Sequence, residues 1–80
     1  MKVLFYGRLA EVIGPELETR AQPGCSVAQL RERLIAEHPE AEQPLRNKRA
    51  LACVGNALVL DDYVLAETEI VEFLPPVSGG

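Results

Sequence analysis

Ser26-Val27-Ala28-Gln29-Leu30-Arg31-Glu32-Arg33-Leu34-Ile35-Ala36-Glu37-His38-Pro39 carries both the start and the stop signal of a helix. Ser26 stands at the N-cap, and Gln29 follows three residues later, so each side chain can satisfy the other's backbone amide as a capping box. Cys25 and Leu30 flank the cap at the two positions of a hydrophobic staple, which gives Cys25 a structural role. Val27, Leu30 and Leu34, with Ile35 beside them, form one apolar stripe. Arg31, Glu32, Arg33 and Glu37 fall on the side expected to face water. Pro39 disfavours helical geometry at His38, so the helix stops there. One helix with one apolar stripe needs a sheet to cover, which sets the search in the flanking sequence.

Towards the N-terminus, Lys2-Val3-Leu4-Phe5-Tyr6 is rich in β-branched and aromatic residues and reads as a central strand. Gly7 ends it. Leu9, Val12 and Ile13 then recur at helical spacing, and Gly14-Pro15 punctuates a short helical turn. Leu17-Glu18-Thr19-Arg20-Ala21 alternates as a half-exposed strand, closed by Gln22-Pro23-Gly24, and pairs with the first strand as a hairpin. Towards the C-terminus, Glu40 to Lys48 is polar, contains Pro44 and reads as a connecting loop. Leu51-Ala52-Cys53-Val54 and Ala57-Leu58-Val59-Leu60 are strands joined by Gly55-Asn56, a pair suited to a tight turn. Glu69-Ile70-Val71-Glu72-Phe73-Leu74 is the last strand.

The order strand, strand, helix, strand, short strand, strand predicts an α+β domain over residues 1–74. It comprises a mixed sheet of four to five strands with one main helix packed across one face. The first and last strands are the most apolar and are expected to pair centrally; if they run parallel, the tail leaves the sheet from a solid base. Residues 75–80 are left as an extended, flexible tail.

Composition removes several function classes. Eighty residues make one small domain with no room for a large internal active site. At 48% apolar and 25% charged residues, the chain is expected to fold rather than stay disordered. The net charge is −4, and Arg46, Lys48 and Arg49 form the only basic cluster, so a nucleic-acid partner is not expected. The apolar run near the N-terminus is too short for a signal peptide or a membrane span, and the protein reads as cytoplasmic. Cys25 and Cys53 lack Cys-x-x-Cys spacing and clustered histidine, so no metal site is expected and both read as reduced, partly buried residues. His38, the one histidine, sits at a helix C-terminus where partial positive charge is favourable, without a neighbouring nucleophile. Asp61 and Asp62 are adjacent, and adjacent carboxylates serve turn formation more readily than acid-base chemistry.

What remains is Phe73-Leu74-Pro75-Pro76-Val77-Ser78-Gly79-Gly80. Pro75 and Pro76 fix φ near −65° and favour an extended path, holding the segment away from the domain. Gly79 and Gly80 lack Cβ, so the backbone can thread a channel too narrow for side chains. Fully extended, residues 75–80 reach roughly 20 Å, enough to enter a partner's active site. The segment has no charged side chain, so its reactive group is the Gly80 carboxylate. Chance alone ends roughly 0.5% of chains in two glycines, and the pair is therefore read as functional rather than as a frayed terminus.

The strand Lys2-Val3-Leu4-Phe5-Tyr6, the segment Glu11-Val12-Ile13-Gly14, the capped helix and above all the last eight residues resemble the ubiquitin-like β-grasp sulfur carriers. Within these, the small subunits of molybdopterin synthases are the nearest likeness. The resemblance implies that a partner adenylating (E1-like) enzyme uses ATP to activate the Gly80 carboxylate. A sulfur donor then converts it to a thiocarboxylate. The tail residues Gly79, Ser78, Val77, Pro76 and Pro75 insert into the large synthase subunit, where the sulfur passes to cyclic pyranopterin monophosphate and builds the dithiolene of molybdopterin. On this view the chain binds no cofactor and is not catalytic alone; it is the sulfur-donating subunit of a sulfurtransferase. The resemblance further implies an apolar docking patch at Tyr6, Leu58 and Leu74. Three alternatives stay open: a thiamine-pathway or other sulfur carrier, a ubiquitin-like modifier joined through Gly80 to lysines, and a passive interaction domain.

Overall fold

The computed structural model describes residues 1–19, 24–46 and 49–75. Ser26 caps the main helix as its spacing predicts: Gln29 N–H donates to Ser26 Oγ at 3.2 Å, and Ser26 N–H donates to Gln29 Oε1 at 2.8 Å. This helix, α2, runs Val27–Glu37, and His38 closes it with a non-helical backbone ahead of Pro39. Leu30 is buried, and Cys25 packs against the same core, consistent with the staple positions.

Five strands form one sheet: β1 (Lys2–Phe5), β2 (Glu16–Glu18), β3 (Leu51–Val54), β4 (Ala57–Val59) and β5 (Val71–Leu74). Their spatial order is β2-β1-β5-β3-β4. The β1–β5 pair is parallel, with Val3, Leu4 and Phe5 opposite Val71, Glu72 and Phe73. The β1–β2, β3–β4 and β3–β5 pairs are antiparallel. The sheet is therefore mixed, and the last strand is its middle member.

Strand pairing separates the side chains into two faces, because successive residues point opposite ways. Val3, Phe5, Val71, Phe73, Ala52 and Val54 lie in the core with Val27, Leu30 and Leu34 of α2. Phe5 and Phe73 are register partners, and their rings stack with centroids 6.1 Å apart. Gly55 and Asn56 join β3 to β4 with φ of 58° and 67°, the left-handed pair that a type I′ hairpin turn demands.

Local reading of the sequence erred where tertiary packing intervened. Glu40–Lys48 was expected to be loop, yet Pro39–Ala41 is a 3₁₀ turn followed by a short helix, α3 (Glu42–Leu45). Pro44 is tolerated because it lies in the first turn, where its missing N–H has no intrahelical partner to lose. A short helix also forms at Arg8–Val12 (α1), where helical spacing was noted. Strand β2 starts one residue early, at Glu16; Arg20 and Ala21 of its expected range lie outside the described residues, as does Lys48. Strand β5 starts at Val71 because Glu69 is engaged in the preceding turn, its N–H donating to Ala66 O at 3.0 Å.

Arg31 is the largest departure. Helical periodicity put it on the wet face, and it is 5% exposed. Its Nε donates to Asp61 Oδ1 at 3.0 Å, and its Nη1 donates to the Leu45 carbonyl at 2.7 Å. The guanidinium carbon lies 5.1 Å from the centre of the Phe73 ring. One side chain thus ties α2 to the end of α3, to the loop after β4 and to the middle strand. Asp61, expected to serve only a turn, is the carboxylate of this pair.

Removing one partner of a buried ion pair strands the other, at a cost of about 3–5 kcal/mol. Asp61 keeps some solvent access, with its side chain 31% exposed, so the lower end applies. Arg31→Met is expected to lower stability by about 3 kcal/mol in urea unfolding. Asp61→Asn, which strands the more deeply buried Arg31 charge, is expected to cost at least as much, and the double variant less than the sum. A loss under about 1 kcal/mol for Arg31→Met would show that the pin is dispensable.

Candidate functional site

Because α2 covers one face of the sheet, the other face is what the fold presents. Leu4 on β1, Glu72 and Leu74 on β5, Leu51 and Cys53 on β3, and Leu58 on β4 alternate with the core residues and fall on this open face. Leu58 is 64% exposed, Tyr6 42%, and Leu74 half-buried. Tyr6 extends β1 by one backbone bond, its N–H donating to Phe73 O at 3.2 Å. The three residues singled out from sequence thus lie on three strands of one face, with Cys53 and Leu51 between them.

The sequence reading missed three members of this neighbourhood. Leu60 follows Leu58 by one strand period and is 77% exposed. Leu51 is the register partner of Leu74. The alternation of Leu58 and Leu60 signalled the first; Leu51 needed the register. Glu72 is the third: Tyr6 Oη donates to Glu72 Oε2 at 2.7 Å. That hydrogen bond, followed by burial and the carboxylate's charge, holds the Tyr6 phenol above its ordinary pKa of 10.0. Tyr6 therefore stays a neutral donor, with its ring fixed across the face.

Strand β5 ends at Leu74, next to the patch, and Pro75 follows it into solvent. Pro75 is exposed, with its ring against Gly7. Pro76, Val77, Ser78, Gly79 and Gly80 lie outside the described residues. The turn that delivers the chain into β5 is fixed by Glu69, whose Oε1 accepts from Ala66 N–H at 2.8 Å and whose Oε2 accepts from Tyr63 Oη at 2.7 Å. Among the described residues, no cluster of three or more His, Cys, Asp or Glu side chains could hold a metal ion. Cys25 and Cys53 are free thiols, and His38 sits at the helix end. No described helix is long and apolar enough to cross a membrane.

A sequence model for the ThiS family matches residues 3–80. The chain belongs to the ThiS family. The molybdopterin synthase sulfur carrier subunit of Escherichia coli (strain K12) is 32% identical over 80 residues, covering 100% of this chain and 99% of that protein. Among solved structures, small archaeal modifier protein 1 (SAMP1) of Haloferax volcanii superposes with a TM-score of 0.80 at 20% identity, over 99% of this chain and 97% of its own. A putative molybdopterin converting factor subunit 1 from Pyrococcus furiosus gives 0.80 at 22%, over 95% of each chain. The complex of subunits 1 and 2 of the molybdopterin-converting factor from Helicobacter pylori gives 0.65 at 18%, over 99% of this chain and 96% of that one. At these identities the structural likenesses speak to fold: this ThiS-family chain is a ubiquitin-like β-grasp domain, as its sequence led us to expect.

The Glu69 carboxyl lies below its ordinary pKa of 4.5, chiefly through the Ala66 N–H and then through Tyr63, with burial opposing. A lowered folded pKa stabilises the fold above the ordinary value and ceases to as pH falls through the folded value. Unfolding midpoints in urea, taken from about pH 6 down to about pH 3, should therefore fall less steeply for Glu69→Gln than for the wild type. Parallel curves would mean that the Ala66 and Tyr63 bonds to Glu69 do not form in solution.

Proposed function

We propose that this chain is the sulfur-carrier subunit of a molybdopterin synthase. The observation that carries the reading is the full-length match to the E. coli carrier, 32% identical with nothing large inserted or missing. The fold supplies a physical rationale: the middle strand runs straight into the last residues, so the domain acts as a handle for the terminal group.

The Gly80 carboxylate is unreactive as it stands, because oxide is no leaving group. A partner adenylating enzyme joins it to the α-phosphate of ATP with release of pyrophosphate. A reduced sulfur species from a donor protein then displaces AMP and leaves a thiocarboxylate. The thiocarboxylate is a strong sulfur nucleophile and attacks cyclic pyranopterin monophosphate in the large subunit; water then cleaves the acyl–sulfur bond and returns the Gly80 carboxylate, so each carrier delivers one sulfur and two successive deliveries build the dithiolene. This chain needs no bound cofactor and no catalytic side chain for these steps. Its contribution is to dock and to orient, through Tyr6, Leu58 and Leu74 on the open face and through Pro75, Pro76, Val77, Ser78 and Gly79 as the inserted segment.

Incubation with the adenylating enzyme, ATP and a sulfur source is expected to raise the intact mass by about 16 Da, one oxygen exchanged for sulfur. Deleting Gly80 should abolish that gain without moving the melting temperature, since terminal residues contribute little to a core. Lysine-linked ladders in place of the mass gain would favour a protein modifier, and no modification at all a passive domain.

The docking role has its own measurement. Leu58→Asp changes an exposed residue and should leave stability within about 0.5 kcal/mol of the wild type. Its affinity for the large subunit should fall by at least about tenfold, as expected for an apolar residue at an interface centre. Unchanged affinity would remove Leu58 from the docking surface.

A further inference from the structure

The chain carries 12 Asp and Glu residues, and three of them are half-buried: Asp61, Glu69 and Glu72. A carboxylate that has lost part of its water needs donors or a cation in return. Asp61 has the Arg31 guanidinium. Glu69 has a backbone N–H on one oxygen and a phenol on the other. Glu72 has Tyr6 Oη on Oε2, and its Oε1 has no donor among the described residues. No described cation pairs with it either: Lys2, which alternation puts on the same face of β1 as Leu4, is engaged by Glu16 at 3.2 Å. Glu72 is thus a half-satisfied charge on the middle strand, flanked in register by Leu4 on one side and Cys53 on the other.

Glu72 also borders a groove of about 460 Å³ beside the Val71 end of β5, away from the tail. Leu4, Val54 and Ile70 give the groove aliphatic walls, and Glu69 and Glu72 give it negative charge. Ile70 is 48% exposed, so this wall has no cover within the chain. Aliphatic walls that end at an unpaired carboxylate match an amphipathic cation, a side chain that buries a methylene stem and carries its charge at the tip. The net charge of −4 adds a long-range attraction for a basic partner surface.

We propose that this groove receives an arginine side chain of the large subunit, its stem against Leu4 and Ile70 and its guanidinium on Glu72. The assignment rests on the docking role given above to the open face, and it names the chemistry that the partner must bring there. Tyr6 and Leu74 adjoin Glu72, and Leu58 lies across Cys53 from it, so a partner covering those three residues strips the remaining water from the carboxylate. An apolar or acidic cover would strand the charge, whereas a cation turns the same desolvation into an ion pair. Arginine suits the place better than lysine, because its guanidinium is more weakly hydrated and offers several donors in a fixed fork. Tyr6 holds Oε2, which leaves Oε1 for the incoming donor.

The test measures binding of the full chain to the large subunit by surface plasmon resonance. Glu72→Gln keeps the size and the acceptor for Tyr6 while removing the charge, and it should raise the dissociation rate by at least about tenfold. Glu40→Gln, at an exposed carboxylate in the 3₁₀ turn, should stay within about twofold of the wild type. Ile70→Ala should weaken binding by about threefold or more. Replacing the large subunit's surface arginines by alanine one at a time should find one that costs about tenfold against the wild-type chain and less than about twofold against Glu72→Gln, because a pair can be lost only once. A role for Glu72 confined to orienting Tyr6 would produce no such coupling. Glu72→Gln binding as tightly as Glu40→Gln, no coupled arginine in the scan, or Ile70→Ala binding like the wild type would each overturn the proposal with the carrier reading intact. A wild-type chain that does not bind the large subunit at all would refute the carrier reading, and the arginine with it.

Discussion

The parallel pairing of β1 with β5 is the constraint from which the remaining features follow. It puts the last strand in the middle of the sheet, bonded to β1 on one edge and β3 on the other. A middle strand has no free edge along which the chain could turn back, so a segment leaving Leu74 departs from the end of the sheet. It also anchors the segment to the best-buried part of the domain, since Val71 and Phe73 are fully enclosed. A parallel pair needs a long crossover, and nearly everything between Phe5 and Val71 serves as that connection.

Arg31 completes the crossover. The helix α2 contributes the apolar stripe, Ala41 and Leu45 bury the 3₁₀ turn and α3 in the same core, and backbone bonds from Val27 and Ala28 N–H to the Tyr63 and Asp61 carbonyls hold the loop after β4. The buried guanidinium links them through Asp61 and the Leu45 carbonyl and rests against Phe73 in the middle strand. Burying a charge is costly unless each donor finds an acceptor, and here the backbone carbonyl and the carboxylate supply them.

The elements whose signals are local were legible from sequence. The capping box of Ser26 and Gln29, the stop at Pro39, the Gly55-Asn56 turn and the alternation in β5 each depend on residues within four positions of one another. The family likeness extended this to the fold, while the parallel sense of the β1–β5 pair needed the structure. What stayed hidden depends on contacts distant in sequence. Arg31 looks solvated on a helical wheel because the wheel does not include α3 or Asp61. Residues Glu42–Leu45 look like loop because Pro44 is a breaker in the middle of a helix but not in its first turn. At the site, Tyr6, Leu58 and Leu74 could be marked by resemblance, whereas Glu72 as the phenol's partner and Leu51 beside Leu74 required the register.

The two faces of this sheet divide the work of the molecule. Along β5, Val71 and Phe73 are locked into the core while Glu72 and Leu74 are turned to the open side, so neighbouring residues answer to different demands. Core positions tolerate little, because a lost methylene leaves a cavity that a domain of this size cannot easily close. Exposed open-face positions such as Leu58 are freer for stability, since they are less enclosed. The tail base is where the two demands meet: Phe73 holds the strand, Leu74 faces the patch, and Pro75 rests on the backbone of Gly7. A sheet built this way can vary its exposed face without endangering the fold, and only the short span from Phe73 to Pro75 has to satisfy both requirements at once.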